Sequence, residues 1–390
     1  MNHQKQTANS KPNKQSERVI RVLIAAPSLD INGGQARQAV RLIEKLSHEP
    51  EIKASFIPHN PRLPRPVRWM QKIKYVRTVA TTLCYIAMLL ARAWRYDIIH
   101  VFSASYYSYL LSALPALLVA KLYGKKTILN YRSGEAEDHL ANWRTAVPTI
   151  RLADVIVVPS GYLVEVFSRF GLRARVIFNT VETDRFRYRE RKPLRPVFLT
   201  SRLLEPLYNV ACVLRAFAII QNHYPEARLT IAADGSLRRE LESLARDLKL
   251  RDARFIGFVS FEDMPALYDA ADIYLNANDI DNMPSSLIEC MAAGLNIVTT
   301  NAGGIPYIIT DEETGLIVSC GDHEAMARSA MRLLEDARLA AQTAAQAKDE
   351  CQKYNWTTAR REWLGLYHEL AGRPVAVSSN RAEEFTKSFQ

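Results

Sequence analysis

Short, largely apolar runs separated by segments of helical spacing recur along this chain, and that alternation limits its possible folds more than any other feature. Val19–Ala26, Asp97–Phe102, Lys126–Asn130, Asp154–Pro159 and Ala174–Phe178 read as strands, with helical spacing at Gln35–Leu46, Val67–Trp94, Tyr106–Tyr123 and Gly161–Phe170. Runs that are apolar at most positions suit strands covered on both faces, and the intervening helices supply the cover. A basic, proline-containing stretch, Asp184–Pro196, interrupts the pattern. It then restarts, with strands at Val197–Ser201, Arg228–Ala232, Ala253–Phe258, Asp272–Asn276 and Asn296–Thr300, and helices at Val210–His223, Leu237–Leu248, Met264–Ala270 and Ser285–Ala293. The expectation is an α/β protein of two doubly wound, Rossmann-like domains, residues 18–190 and 191–355, facing each other across a cleft. Residues 356–371 form a closing helix placed to pack back on the first domain, and 1–17 and 372–390 are polar tails. In such sheets ligands bind outside the carboxyl ends of the strands.

Composition narrows the class. With 48% hydrophobic and 24% charged residues in 390, the chain is neither disordered nor a collagen-like repeat. Five scattered cysteines (Cys84, Cys212, Cys290, Cys320, Cys351) show no metal or redox spacing, which suits free thiols in a reducing, cytoplasmic setting. The first 17 residues are polar, without the apolar core of a signal peptide. The longest uncharged stretch, Val101–Ala120, holds four serines and Pro115 and reads as strand, loop and helix rather than a membrane span.

Charge is unevenly spread. Residues 1–195 carry 32 Lys/Arg against 14 Asp/Glu, and residues 196–390 carry 19 against 27. Nothing acidic lies between Glu51 and Asp97, an interval with nine basic residues. An anionic partner is implied, and nucleic acid fits poorly because no recognised binding module is present. Within residues 62–77, Trp69, Met70, Ile73 and Val76 fall on one helical face, apart from Arg68, Lys72 and Lys74. That pattern suits an amphipathic helix on an anionic bilayer at the inner face of the membrane, or a core-facing helix with a solvated basic side.

Four places could carry chemistry. Gly33 and Gly34 follow the first strand and open a helix, where small residues let backbone amides approach a phosphate; an ordinary turn is the plainer reading. Asn301–Pro306 repeats the arrangement in the second half. Asp281-Asn-Met-Pro-Ser-Ser-Leu-Ile-Glu289 runs from a loop, where Ser285 or Ser286 can cap, into a helix that holds Glu289 among Leu287, Ile288 and Met291. There Glu289 is either a solvated glutamate or a pure acceptor for a ligand diol. His100, at a strand end, is either a cleft residue on the acceptor side or a satisfied core histidine. Asp279-Ile-Asp281 has the D-x-D form used by metal-dependent sugar transferases of another fold, but the two-sheet layout disagrees with that fold, so no metal is expected.

The stretch from Asp281 to Glu289 resembles the E-x7-E signature of family 4 retaining glycosyltransferases. ARFIGFV (Ala253–Val259), LYDAAD (Leu267–Asp272), Gly303–Pro306 and Glu313–Val318 are similar to the same family, as are ADVIVVPS (Ala153–Ser160) and VIFNTV (Val176–Val181) followed by Asp184-Arg-Phe186. The resemblance covers roughly residues 19–371. It implies the GT-B fold and transfer of a sugar from a nucleotide sugar held in the cleft, without metal or other cofactor. By the same resemblance Arg202 binds the donor diphosphate, Glu289 the ribose, and Phe258 and Val259 lie by the base. Asp281, Asn282, Met283, Pro284, Ser285 and Ser286 face the sugar and its leaving phosphate, and Gly33 and Gly34 admit the diphosphate from the other side.

The departures are specific. The family's lysine five residues after Arg202 is Leu207, the first glutamate is shortened to Asp281, Ala233 replaces a glycine, Tyr307 replaces a glutamate, and Arg132 stands where a histidine is common. An arginine at position 132 could restore the missing cation, since Arg–phosphate pairing is strong and geometrically apt. The resemblance therefore implies a transferase acting on a lipid-linked or polysaccharide acceptor, with Asp281 and Arg202 as catalytic residues, and the departure at Arg132 adds a third if its charge replaces the missing lysine. The rivals are an inactive donor-binding relative acting as a partner subunit, and a sugar-nucleotide epimerase on the same fold.

Overall fold

A computed structural model of the chain describes residues 19–28 and 34–373. The first half forms a parallel sheet of β1 (Ile20–Ala26), β2 (Ile52–Pro58), β3 (Ile98–Ser103), β4 (Lys126–Tyr131), β5 (Val155–Val158) and β6 (Ala174–Val176), in the order β2-β1-β3-β4-β5-β6. The second half repeats it with β7 (Val197–Thr200), β8 (Arg228–Ile231), β9 (Ala253–Phe255), β10 (Ile273–Asn276), β11 (Asn296–Thr300) and β12 (Leu316–Val318), ordered β12-β11-β10-β7-β8-β9. All pairings within both sheets are parallel, which is why the central strands are buried on both faces and read as largely apolar runs. The two-domain α/β arrangement expected from the alternation is what the chain adopts.

Two strands escaped the sequence pattern, β2 and β12. Both lie at sheet edges: β2 carries polar residues such as Lys53 and Ser55, which thin its apolar signal, and β12 is apolar but only three residues long. The helices Val210–His223, Met264–Ala270 and Ser285–Ala293 have the expected bounds. Val67–Trp94 does not form one helix. Pro64 and Pro66 restrict the chain to a 3-10 segment, Arg65–Lys72, and Ile73 is extended (φ −99°, ψ 119°) before a 19-residue α-helix, Lys74–Arg92. The amphipathic helix expected over residues 62–77 is thus broken at Ile73, which corrects that reading.

The basic stretch between the halves proves structural. Arg189, Arg191 and Arg195 converge on Asp272, which is fully buried at the start of β10. Arg195 donates from its backbone amide (2.7 Å) and side chain (Nε 3.0 Å, Nη2 2.8 Å), and Arg189 from Nη2 (2.7 Å). Arg191 also donates to the carbonyls of Tyr268, Ala271 and Ala293. These bonds hold the Asp272 carboxyl below the ordinary carboxylate range despite its burial. Its contribution to stability is therefore complete above the unfolded carboxylate's pKa and is lost as pH falls through the lowered value. Asp272→Asn should destabilise the protein by about 3–5 kcal/mol, because it removes the buried charge on which three arginines converge and leaves the buried Arg191 guanidinium without its counter-ion. Urea unfolding at neutral pH measures this, and the variant's deficit should shrink in strong acid.

The helix Trp356–Leu370 crosses back and packs on the first sheet, with Trp363 and Tyr367 against Ile20, Val22, Ile24 and Phe102. Charged pairs fasten it at both ends, Arg360 to Glu49 and Arg175 to Glu369. His100 is enclosed by this helix. Its Nδ1 bonds Tyr367 Oη (2.9 Å), its Nε2 bonds Asn130 Nδ2 (3.0 Å), and its ring stacks on Phe102. Burial lowers its pKa to about 3, so it is a neutral core histidine. The acceptor-side placement expected for His100 is therefore incorrect: the returning helix covers it.

In each sheet the strand order reverses once, between β1 and β3 and between β7 and β10. Loops leaving neighbouring strands diverge there and open a crevice. The two crevices face each other.

Candidate active site in the inter-domain cleft

A cavity of about 440 Å³ fills the space between the carboxyl edges of the two sheets. Its second-domain wall comes from the switch point, with Ser201 and Arg202 leaving β7 and residues 280–286 following β10. Its first-domain wall comes from the start of the helix Gly34–Ser47 and from the β4 exit at Arg132–Glu135.

Arg202 and Asp281 meet at the cavity floor (2.5 Å). Asp281 Oδ2 also accepts from Asn278 Nδ2 (2.6 Å), and its Oδ1 accepts from the backbone amide of Asn282 (2.7 Å). The Arg202 guanidinium lies over the Tyr208 ring (4.3 Å), a cation–π contact that uses the residue next to the missing lysine. Leu207 lines the cavity without charge, and its carbonyl accepts from Asp279 N (3.0 Å). Asn209 caps the helix Val210–His223 and donates to Asp279. The two carboxylates of the D-x-D tripeptide are thus engaged by different partners, Asp279 by Asn209 and Asp281 by Arg202.

The helix Ser285–Ala293 begins at the cavity with Pro284 in the cap position, and no side chain caps it, contrary to the serine cap the sequence suggested. Its positive end is left open to an anion. Nε of Arg202 and Nδ2 of Asn282 are buried beside it without hydrogen-bond partners. Buried donors left unpaired are costly, and a polar ligand in the cavity would satisfy them. One turn further on, Glu289 is buried and accepts from Tyr268 Oη through Oε2 (2.8 Å), leaving Oε1 for another donor. Burial raises its pKa, while that hydrogen bond and the charges of Arg41, Arg37 and Arg202 oppose the rise.

Arg37 and Arg41 were not anticipated. They stand one turn apart on the helix Gly34–Ser47 and line the cavity opposite Glu289. Arg41 is buried, donates to Thr180 O (2.8 Å), and has its pKa lowered by that burial. Both guanidiniums, with that of Arg185, surround the Phe261 ring at 5.9, 5.1 and 3.8 Å. The available signal was a pair of arginines four residues apart on a helix that starts at a glycine turn. Only the facing sheet shows that this pair reaches the cavity.

Arg132 leaves β4 at the cavity floor. Its Nε donates to Asn130 Oδ1 (2.9 Å), its Nη1 to Asn179 Oδ1, and it stacks over Phe102 at 4.9 Å. All three partners are neutral, and burial lowers its pKa to about 9. It stays charged at neutral pH with no carboxylate beside it among the described residues.

The structure brings Gly34, Arg132, Arg202, Phe258, Val259, Asp281 to Ser286 and Glu289 to one cavity. Gly33 lies outside the described residues. His100 is absent from the cavity wall, as its burial requires. The Asn301–Pro306 loop does not line the cavity either. Gly303 and Gly304 instead abut the Asp281–Asn282 backbone, so a Cβ at Gly304 would lie 1.9 Å from Asn282 O. The glycines permit one loop to support the other. Across the cleft Asn179 Nδ2 donates to Met283 O (3.1 Å), Ser160 bonds Asn282, and Tyr307 bonds Glu165 while its ring fills the space above Gly161. Tyr307, which replaces a family glutamate, thus serves as a contact between domains.

Known proteins resemble this chain in sequence and in fold. Over 207 residues it is 27% identical to a Campylobacter jejuni enzyme named GalNAc-alpha-(1->4)-GalNAc-alpha-(1->3)-diNAcBac-PP-undecaprenol alpha-1,4-N-acetyl-D-galactosaminyltransferase, covering 52% of this chain and 57% of that one. Over 189 residues it is 26% identical to phosphatidyl-myo-inositol mannosyltransferase of Mycolicibacterium smegmatis, covering 48% of each. A third relative, sulfoquinovosyl transferase SQD2 of Arabidopsis thaliana, is 28% identical over 143 residues, 36% of this chain and 28% of that one. The chain thus spans from about a quarter to little more than half the length of these curated relatives. Its fold matches Anabaena Alr3699/HepE, solved in complex with UDP, with a TM-score of 0.72 over 90% of this chain and 100% of that one at 15% identity. It also matches sucrose-phosphate synthase of Thermosynechococcus elongatus, with a TM-score of 0.68 over 90% and 99% at 18% identity. Two adjoining family models, Glycosyltransferase Family 4 over residues 32–185 and Glycosyl transferases group 1 over residues 182–350, account for both domains, and the chain belongs to the family 4 glycosyltransferases of GT-B fold.

Proposed function

We propose that this protein transfers a sugar from a nucleotide-sugar donor, with retention at the anomeric carbon, to a lipid-linked or polysaccharide acceptor at the inner face of the membrane. The observation that carries the donor half is Arg132, a guanidinium with neutral partners only, in a cavity that also holds Arg37, Arg41 and Arg202. Four cations and an uncapped helix end are arranged for a diphosphate, and the cluster supplies without metal the charge that Leu207 cannot.

In this reading Glu289 accepts the ribose hydroxyls, held in place by Tyr268, and Phe258 and Val259 border the base. The diphosphate lies between Arg202 on one wall and Arg132 with Arg37 on the other. As the bond from the anomeric carbon to the diphosphate oxygen lengthens, negative charge grows on the leaving phosphate, where guanidinium charge lowers the barrier. Asp281, released by Arg202 as the diphosphate takes up that cation, orients the sugar hydroxyls. The acceptor half draws support from the relatives named for undecaprenol- and phosphatidylinositol-linked substrates.

Donor consumption measured over a panel of UDP-, GDP- and ADP-sugars, with and without chelator, tests the reading. One donor consumed despite chelator is the expected result. Consumption abolished by chelator would overturn the metal-free arrangement. Binding without consumption, even with polyprenyl-phosphate or phosphatidylinositol acceptors supplied, would favour the inactive partner subunit.

A further inference from the structure

The helix Lys74–Arg92, prolonged to Arg95 by a 3-10 turn, is long and apolar enough to cross a membrane, yet only 17% of its most apolar stretch is buried. Its inner face is fixed to the protein. Tyr85, Leu89 and Ala93 are buried in the first domain's core, and Tyr85 Oη donates to Ser112 O (3.1 Å). Those three side chains hold one face of the helix against the globule. Its outer face nevertheless exposes Tyr75, Val79, Leu83 (62%), Leu90 and Trp94 (53%), at spacings of four or seven residues that align them in a stripe.

A second stripe lies beside it. The segment from Tyr106 to Leu122 exposes Leu110, Leu118 (53%) and Leu122 (71%), at multiples of four residues. The two helices touch, and Tyr123 Oη donates to Leu90 O (2.9 Å), which joins the stripes into one apolar face. A soluble surface rarely exposes large apolar side chains in such continuity without a partner.

Charge identifies that partner. Lys74 and Arg77 flank the face at one end, Arg92 and Arg95 at the other, and the preceding 3-10 segment adds Arg65, Arg68 and Lys72. No acidic residue occurs between Glu51 and Asp97 to oppose them. Trp69 and Trp94, both exposed, sit near the two ends, as aromatic residues do at a bilayer interface.

We propose that these two helices form a monolayer-inserting platform that seats the first domain on an anionic lipid surface, its apolar stripes among the acyl chains and its basic ends at the phosphate groups. The platform differs from the single helix suggested by residues 62–77: its apolar part lies largely beyond them, on two elements that sequence spacing could not place side by side. Its position suits the acceptor chemistry. Tyr106 follows β3 closely, with Ser105 bonded to Tyr131 at the end of β4 (2.8 Å), so the second helix begins at the edge where Arg132 borders the cavity, and the first helix packs on that edge through Tyr85 against His59. A membrane against this face would bring a lipid-linked acceptor's headgroup to the cleft mouth. The surface stands on exposure and charge alone, so its failure would leave the donor reading intact.

Flotation of the full chain with vesicles of phosphatidylcholine, alone or mixed with phosphatidylglycerol, tests the platform. The protein should float with the mixed vesicles and much less with phosphatidylcholine alone. Leu83→Asp with Leu122→Asp should weaken flotation at least about tenfold, since two exposed side chains lose their burial in lipid. UDP- or GDP-sugar binding by that variant should be unchanged, which shows that the fold survives. Arg68→Glu with Lys72→Glu should remove the preference for anionic lipid. Flotation that is equal with and without the leucines would overturn the proposal in favour of adsorption elsewhere. So would a dimer, present without lipid and dispersed by the aspartates, since a second copy would then occupy the face.

Discussion

Arg132→Ala is expected to lower kcat/KM for the donor by about 10²–10³-fold, the usual effect of deleting a preorganised group that stabilises leaving-group charge. Asn130, Asn179 and the Phe102 ring orient the guanidinium without neutralising it, so its charge is available to an anion entering the cavity. Arg132→Lys should recover part of the loss, since it restores charge but not the planar fork. Leu207→Lys in the Arg132→Ala background is the sharper test. It returns a cation to the family's usual place, on the opposite wall beside Arg202. Recovery of turnover there would show that Arg132 supplies charge. Loss of activity in Arg132→Ala with no recovery in either variant would assign it to packing at the β4 exit, and full activity in Arg132→Ala would remove it from catalysis.

Glu289→Ala should weaken donor binding by about 10–100-fold, the range for losing hydrogen bonds to a charged acceptor. Burial raises the pKa of Glu289, so acidification discharges it before an ordinary glutamate. Donor affinity should therefore fall as pH drops towards that raised value, and Glu289→Gln should bind weakly with little of this pH dependence. Stability has the opposite sign. A carboxyl whose pKa is raised on folding favours the folded state at low pH, and that contribution fades as pH rises through the folded value. At neutral pH Glu289→Gln should consequently unfold no more easily than the parent chain while binding donor worse. Titration calorimetry with the preferred nucleotide sugar, beside thermal unfolding, separates the two effects. Unchanged affinity would withdraw the ribose assignment.

The two domains and most of their strands were legible in the sequence because a doubly covered parallel strand is apolar at most positions, a local property that spacing records. The edge strands β2 and β12 were not, since β2 pairs on one side only and admits Lys53 and Ser55, and β12 is only three residues long. The donor loop was legible through its resemblance to a known motif, and the folded chain gathers Asp281 to Glu289 with Arg202 in one cavity.

What the sequence could not decide was which side chains from the first domain meet that loop. Arg37 and Arg41 resemble the solvated face of an amphipathic helix until the second sheet is set opposite them. His100 reads as a strand-end residue until the helix Trp356–Leu370, more than 250 positions later, returns to enclose it. The basic stretch around residue 190 reads as a linker until Asp272 gathers three of its arginines. The physical reason is common to all three. Secondary structure follows from periodicity over a few neighbouring residues, whereas burial, pairing and the charge state of a site are set by groups distant in the chain that only the packed domains bring within reach.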